Sequence, residues 1–193
     1  MAKVIEGGGP NRWRVAGWSI AALLLLLPLV AMQFTHEVNW TPADFAFAAA
    51  LIGGVGLAFE VTARATRNNA YRGAVAIALA AAFLLVWING AVGIIGDEDN
   101  PLNLLYVGVI AVAFGGMAWA RFRSRGASHA MFAAAVANIA VGVVAIVAGG
   151  SEPPGIVGLI VLNGFFVALF LGSAWLFGIA AQGEDRIDTA SEA

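Results

Sequence analysis

The residues with the greatest chemical reach are carboxylates and one imidazole, gathered in three short segments between long apolar runs. His36, Glu37 and Asp44 lie in the first segment, Asp97, Glu98 and Asp99 (followed by Asn100) in the second, and Glu152 in the third. No Lys or Arg accompanies them. Oxygens of this kind, brought close together, suit a hard cation such as Ca²⁺ or Mg²⁺, and His36 widens the choice to Zn²⁺. Glu37, Asp97, Glu98, Asp99, Glu152 and His36 are therefore the candidate cation ligands. The D-x-[DN]-x-[DN]-G pattern of an EF-hand loop is absent, and the same charges also read as solvated loop carboxylates.

A second set of polar residues falls inside the apolar runs: Glu60, Asn89, Asn138 and Asn163. Glu60 precedes Arg64 by four residues, a spacing that pairs the two on one helix face. Asn89-Gly90 and Asn163-Gly164 repeat one dipeptide in the outer halves of two oppositely directed spans. Buried amides need partners, so Asn89 and Asn163 are expected to bond to each other across a helix contact, or to line a small polar cavity. Trp87, with Phe83 near it, is the aromatic residue placed within the apolar thickness and is expected to pack against another helix.

The elements that position these groups follow from composition. The chain has 193 residues, 61% of them hydrophobic and 11% charged, where a soluble domain has roughly 45–50% and about 25%. Mean hydropathy is +0.86. Disorder is excluded, and a formal net charge of −2 leaves no basic footprint for nucleic acid. With no cysteine there are no disulfides, thiolate metal sites or iron–sulfur clusters. The single lysine, Lys3, removes a P-loop lysine and a buried Schiff base. His36 and His129 fall near opposite faces and could not share one haem.

The class that remains is an all-α integral membrane bundle of six transmembrane helices. The apolar runs predict helices over about 13–32, 45–65, 71–95, 101–121, 128–148 and 155–181, in one transmembrane domain, with polar and mobile tails over 1–11 and 182–193. Thr41-Pro42-Ala43-Asp44 predicts a helix start, with Pro in the first turn. Linkers of roughly 5–12 residues predict that sequence neighbours pack as antiparallel pairs. A basic tail before an apolar run can mark a cleavable signal, but Leu29-Val30-Ala31 is a poor cleavage site, so the first span reads as retained.

Orientation follows from the cations. Lys3, Arg12 and Arg14 precede the first span, Arg64, Arg67 and Arg72 lie between the second and third, Arg121, Arg123 and Arg125 between the fourth and fifth, and Arg186 follows the sixth. All fall on one side, which predicts both termini in the cytoplasm. Trp13, Trp18, Tyr71, Trp119 and Trp175 map to the inner interface, Trp40 and Tyr106 to the outer. Gly90, Gly93 and Gly96 on the third span, with Gly53, Gly54 and Gly56 on the second, predict tight helix seams.

Enzyme signatures are missing. Gly172-Ser173 has no histidine at matching depth, and Asp97-Glu98-Asp99 faces away from cytoplasmic nucleotide donors. The segments Phe34-Thr35-His36-Glu37-Val38-Asn39-Trp40-Thr41-Pro42, Asn89-Gly90-Ala91-Val92-Gly93-Ile94-Ile95-Gly96-Asp97-Glu98-Asp99-Asn100-Pro101 and Leu162-Asn163-Gly164-Phe165-Phe166 resemble a family of small, uncharacterised multi-pass proteins of bacterial inner membranes. That resemblance implies a location in the bacterial cytoplasmic membrane and transfers no activity, cofactor or site residue.

Three functional readings stand, in this order. The first is a non-enzymatic accessory or structural subunit, a homo-oligomer or the partner of another membrane protein. The second is a small cation or solute channel or transporter with an acidic extracytoplasmic mouth. The third is a binding protein for a quinone, carotenoid or lipid built on Trp87, Phe83 and nearby glycines. None requires nucleic acid, and the sequence assigns no cofactor.

Overall fold

A computed structural model describes residues 12–35 and 38–191. His36 and Glu37, two of the candidate cation ligands, lie outside the described residues. Helices follow one another as α1 (Arg12–Ala31), α2 (Pro42–Ala65), α3 (Asn69–Ala91), α4 (Leu104–Trp119), α5 (Ser124–Gly149) and α6 (Gly155–Ser191), with a 3₁₀ turn over Pro101–Asn103 leading into α4. No strand occurs among the described residues. All six helices are long and apolar enough to cross a membrane. The described residues gather into two compact units, 12–58 and 59–191, with the divide inside α2.

The first unit holds α1 and the start of α2. Thr41 and Asp44 close that start reciprocally: the Thr41 backbone N–H and hydroxyl donate to Asp44 Oδ2 at 2.7 and 2.8 Å, and Asp44 N–H donates to Thr41 Oγ1 at 3.4 Å. This is a capping box with Asp as its acid, and it satisfies donors that the first helical turn leaves open. Trp40, just before the cap, packs edge-on against Phe45 with ring centroids 5.1 Å apart, fixing the angle at which the chain enters. Of the three α2 glycines expected in a seam, only Gly56 meets a neighbour. A Cβ there would lie 3.1 Å from the Trp18 ring, whereas Gly53 and Gly54 face open space.

In the second unit α3 packs on α6, α6 on α5, and α5 on α4, while α3 and α4 scarcely touch. The expectation that every pair of sequence neighbours would pack holds for α4–α5 and α5–α6; it is corrected at α1–α2, which make little close contact, and at α3–α4. At α3–α4 the reason lies in side-chain size. Alanines contribute to the buried faces of α3 (Ala74, Ala78, Ala81) and α5 (Ala127, Ala134, Ala135), and three phenylalanines to that of α6 (Phe166, Phe170, Phe177). Large against small lets two helices seat on α6 at close range, where dispersion and interhelical hydrogen bonds hold them. Ser173 Oγ donates to the Ala74 carbonyl at 2.9 Å, and Ser128 Oγ to the Ala174 carbonyl at 2.8 Å, pinning α3 and α5 to α6 in register. Between α4 and α5 the backbones approach closely at Gly116, where a Cβ would lie 2.8 Å from the Ala130 Cβ.

Several boundaries differ from the apolar runs. α5 begins at Ser124, and α6 continues ten residues past 181, so residues 182–191 are helical. Hydropathy ends where polar residues begin, but Gln182, Glu184 and Arg186 are good helix formers and carry the helix onward. α3 stops at Ala91, short of 95, for reasons given below.

Candidate functional site at the acidic end

Residues 92–103 connect α3 to α4, and one side chain organises them. Asn103, 7% exposed, uses its whole hydrogen-bonding capacity on this segment. Its Oδ1 accepts from the Ile94 and Ile95 N–H groups at 3.1 and 2.9 Å, and its Nδ2 donates to the Ile95 and Asp97 carbonyls at 3.3 and 2.7 Å. The chain must double back for this, and it does so at Gly93, with φ +73°. A Cβ on Gly93 would lie 2.3 Å from the Asp97 carbonyl oxygen, so only glycine fits. Gly93 and Gly96 thus terminate and turn the chain beyond α3; they are not seam residues, and this ends the helix early.

The same segment is joined to the α5–α6 connection. Gly96 N–H donates to the Pro153 carbonyl at 3.1 Å. Asn100 caps the 3₁₀ turn, with Oδ1 accepting from Leu102 N–H at 3.0 Å, and its Nδ2 reaches Glu152 Oε2 at 3.4 Å. Between the two connections lies an open pocket of about 550 Å³, lined by Asp97, Asp99, Asn100, Glu152 and Pro153 among others. Two of the three acidic segments therefore meet. Asp97, Asp99 and Glu152 share one concavity; Glu98 is exposed and does not line it. Among the described residues no group of three His, Asp or Glu side chains stands close enough to hold a metal ion. The pocket presents carboxylates to solvent in an open mouth.

Below it, the polar residues of the apolar spans are arranged differently from the Asn89–Asn163 pair expected. Asn163, 7% exposed, bonds to α4 and α5: Tyr106 Oη donates to its Oδ1 at 3.2 Å, and Asn138 Nδ2 donates to its carbonyl and Oδ1 at 3.2 and 3.3 Å. Its own Nδ2 returns to the Leu159 carbonyl at 2.9 Å. Asn89 instead bonds back to the Leu85 carbonyl of its own helix at 2.7 Å. Register explains the miss. Counting from the Ser173–Ala74 bond, Asn89 is 15 residues along α3 while Asn163 is 10 residues back along α6. At 1.5 Å per residue the two amides stand about 7.5 Å apart in depth. Asn138 Oδ1 and Asn89 Oδ1 are buried without a hydrogen-bond partner.

Tyr106, expected at an interface, is 1% exposed and belongs to this three-helix network. Sequence reasoning missed it, along with Asn103. No amphipathic stripe in the sequence of α4 marks either residue, so the sequence offered no usable signal for them. Gly164, paired with Asn163 in the sequence motif, faces open space, and Gly90 is exposed. Trp87 stacks on Phe83 of its own helix, with centroids 5.7 Å apart and planes 17° from parallel. Glu60 and Arg64 form the expected ion pair.

Comparison with known proteins found no similar family model, no similar curated protein and no similar solved structure.

Proposed function

We propose that this chain is a multi-pass protein of the bacterial cytoplasmic membrane, with both termini cytoplasmic, that acts as a non-enzymatic accessory subunit binding another membrane protein or itself. The observation that carries the reading is the use made of buried polar side chains. Ser124, Asn138, Asn163 and Ser173 fasten helix to helix, and Asn103 fastens a loop to its helix. No Asp, Glu, Lys, Arg or His stands among the buried residues described. The interior is thus devoted to holding shape, and the charged groups lie at the ends.

Sidedness is supported by the separation of those ends. Arg64, Arg67, Arg72, Arg121, Arg123, Arg125 and Arg186 flank one end of the second unit's helices, and Asp97, Glu98, Asp99 and Glu152 the other. Trp119 and Trp175 are 91% and 69% exposed, as an aromatic belt at a headgroup layer requires. The outward faces of the helices carry exposed Leu, Val and Ile that lipid would cover.

Native mass spectrometry of the protein, extracted gently from its own membranes, tests the reading. A complex with a second chain, or a defined homo-oligomer, is expected. A bare monomer overturns it.

The open pocket shared by Asp97, Asp99 and Glu152 favours a second reading, a cation or solute pathway entered from the acidic end. Under it, reconstituted protein supports cation flux into liposomes, and Asp97→Asn with Asp99→Asn and Glu152→Gln abolishes it. Absent flux, or flux indifferent to the three substitutions, removes this reading.

A further inference from the structure

α6 is 37 residues long, about 55 Å at 1.5 Å per residue, where a hydrocarbon core takes about 30 Å. The excess lies at the basic end, and it is docked. Glu184 Oε1 accepts from Ser124 Oγ at 2.5 Å, and Asp185 Oδ2 pairs with Arg125 Nη2 at 2.7 Å. Both partners sit in the first turn of α5. That helix start needs outside help. Its cap residue, Arg123, makes no side-chain capping bond, and the first turn has no acid of its own but carries Arg125. A cation there has the wrong sign for the positive end of a helix dipole. Glu184 and Asp185 bring the negative charge from another helix.

The receiving surface is held in a costly shape. Arg121 and Phe122, just before α5, have φ of 53° and 57°, a left-handed conformation that side chains disfavour. Tyr71 Oη, from the start of α3, donates to the Phe122 carbonyl at 2.8 Å and braces the turn. The docked segment, by contrast, has a weak root. Gly183 immediately precedes Glu184, a Cβ there would meet nothing within 4 Å, and glycine is a poor helix residue. No packing demand explains glycine at that position. The Arg125 and Asp185 side chains are 72% and 59% exposed, so salt screens their attraction.

We propose that residues 183–191 form an electrostatic latch. In the closed state Glu184 and Asp185 rest on the first turn of α5 and the helix is continuous through Gly183. In the open state, reached when salt or a competing charged surface weakens the two contacts, the segment unwinds at Gly183. Opening frees the Ser124 hydroxyl and the Arg125 guanidinium from their carboxylate partners, beside the already exposed Arg121 and Arg123, and releases an acidic stretch of chain. This device is independent of which functional reading holds.

Hydrogen exchange of the full chain in detergent micelles, read by mass spectrometry over 184–191, tests it. Raising salt from about 50 to about 500 mM, across which the Debye length falls from roughly 14 to 4 Å, speeds exchange there about three- to tenfold while leaving the centre of α5 unchanged. Glu184→Gln with Asp185→Asn gives the fast rate already at low salt. Exchanging the charges of one pair, Arg125→Glu with Asp185→Arg, restores slow, salt-sensitive exchange. Exchange over 184–191 that is indifferent to salt in the unsubstituted protein, whether fast or slow throughout, overturns the latch without reference to any variant.

Discussion

Tyr106 Oη donates to Asn163 Oδ1 at 3.2 Å, joining α4 to α6 across α5, whose Asn138 shares the same acceptor. One amide oxygen therefore ties three helices together at a single depth. In an apolar medium such a bond has few competitors, since lipid offers none, though measured values for interhelical bonds average only about 0.6 kcal/mol.

Tyr106→Phe removes one of the two donors to Asn163 Oδ1 and creates no cavity, so it is expected to cost about 0.5–1 kcal/mol. Asn163→Leu costs more, about 1–3 kcal/mol, because it strands Tyr106 Oη in a buried site and leaves Asn138 Nδ2 only the backbone carbonyl of residue 163. Reversible unfolding in mixed micelles measures both. The double variant tells the network from separate contacts: its cost is expected to fall short of the sum of the two single costs, because both substitutions break the same bond. Strict additivity would refute the network.

Gly142 makes that network fit. A Cβ on it would lie 3.0 to 3.2 Å from three atoms of the Asn163 side chain, and that side chain is fixed by its three bonds. Gly142→Ala would ordinarily gain helix propensity of about 1 kcal/mol. Here it is expected to destabilise instead, by about 1 kcal/mol net, as an overpacked site does. Gly164→Ala, one residue from Asn163 but facing open space, is expected to be neutral or stabilising. The two melting temperatures, measured side by side, check the contrast.

The six spans and the Thr41–Asp44 cap were legible because each depends on local chain chemistry: apolar run length, and hydrogen bonds between residues three apart. Seams and sites were not, for two reasons. Depth inferred by counting from a loop fails when register is set elsewhere, as Ser173 and Ala74 set it for Asn89 and Asn163. Hydropathy also reports what tolerates lipid, not what is helical, so it ended α6 at 181 and α3 at 95. The meeting of Asp97 with Glu152 rests on a bond between Gly96 and Pro153, and no spacing in the sequence encodes it.

Asn103 carries four bonds to the α3–α4 connection, so Asn103→Ala leaves two buried N–H groups without an acceptor. The expected cost is about 2–4 kcal/mol. The damage is expected to be local first. Amides over 92–100 exchange faster while those of α5 hold, and Asp97 and Asp99 lose their placement beside Glu152. Asn103→Asp keeps the acceptor for Ile94 and Ile95 but loses both donors, so it falls between the two in exchange rate. Equal exchange in all three proteins would show that the connection is held by something other than this side chain.

The absence of cysteine makes sidedness directly measurable, because a single introduced thiol is the only one in the chain. Glu98→Cys places it on an exposed loop at the acidic end, and Arg123→Cys places it at the exposed turn of the basic end. With the acidic end outside, a membrane-impermeant maleimide applied to intact cells labels Glu98→Cys and leaves Arg123→Cys unlabelled until the membrane is permeabilised. The reverse pattern would invert the topology and place the acidic pocket toward the cytoplasm, where the carboxylates of Asp97, Asp99 and Glu152 would meet cytosolic cations instead. Positive charge on one end alone predicts the first pattern, since Lys and Arg near short loops are retained on the cytoplasmic side during insertion while Asp and Glu exert little pull.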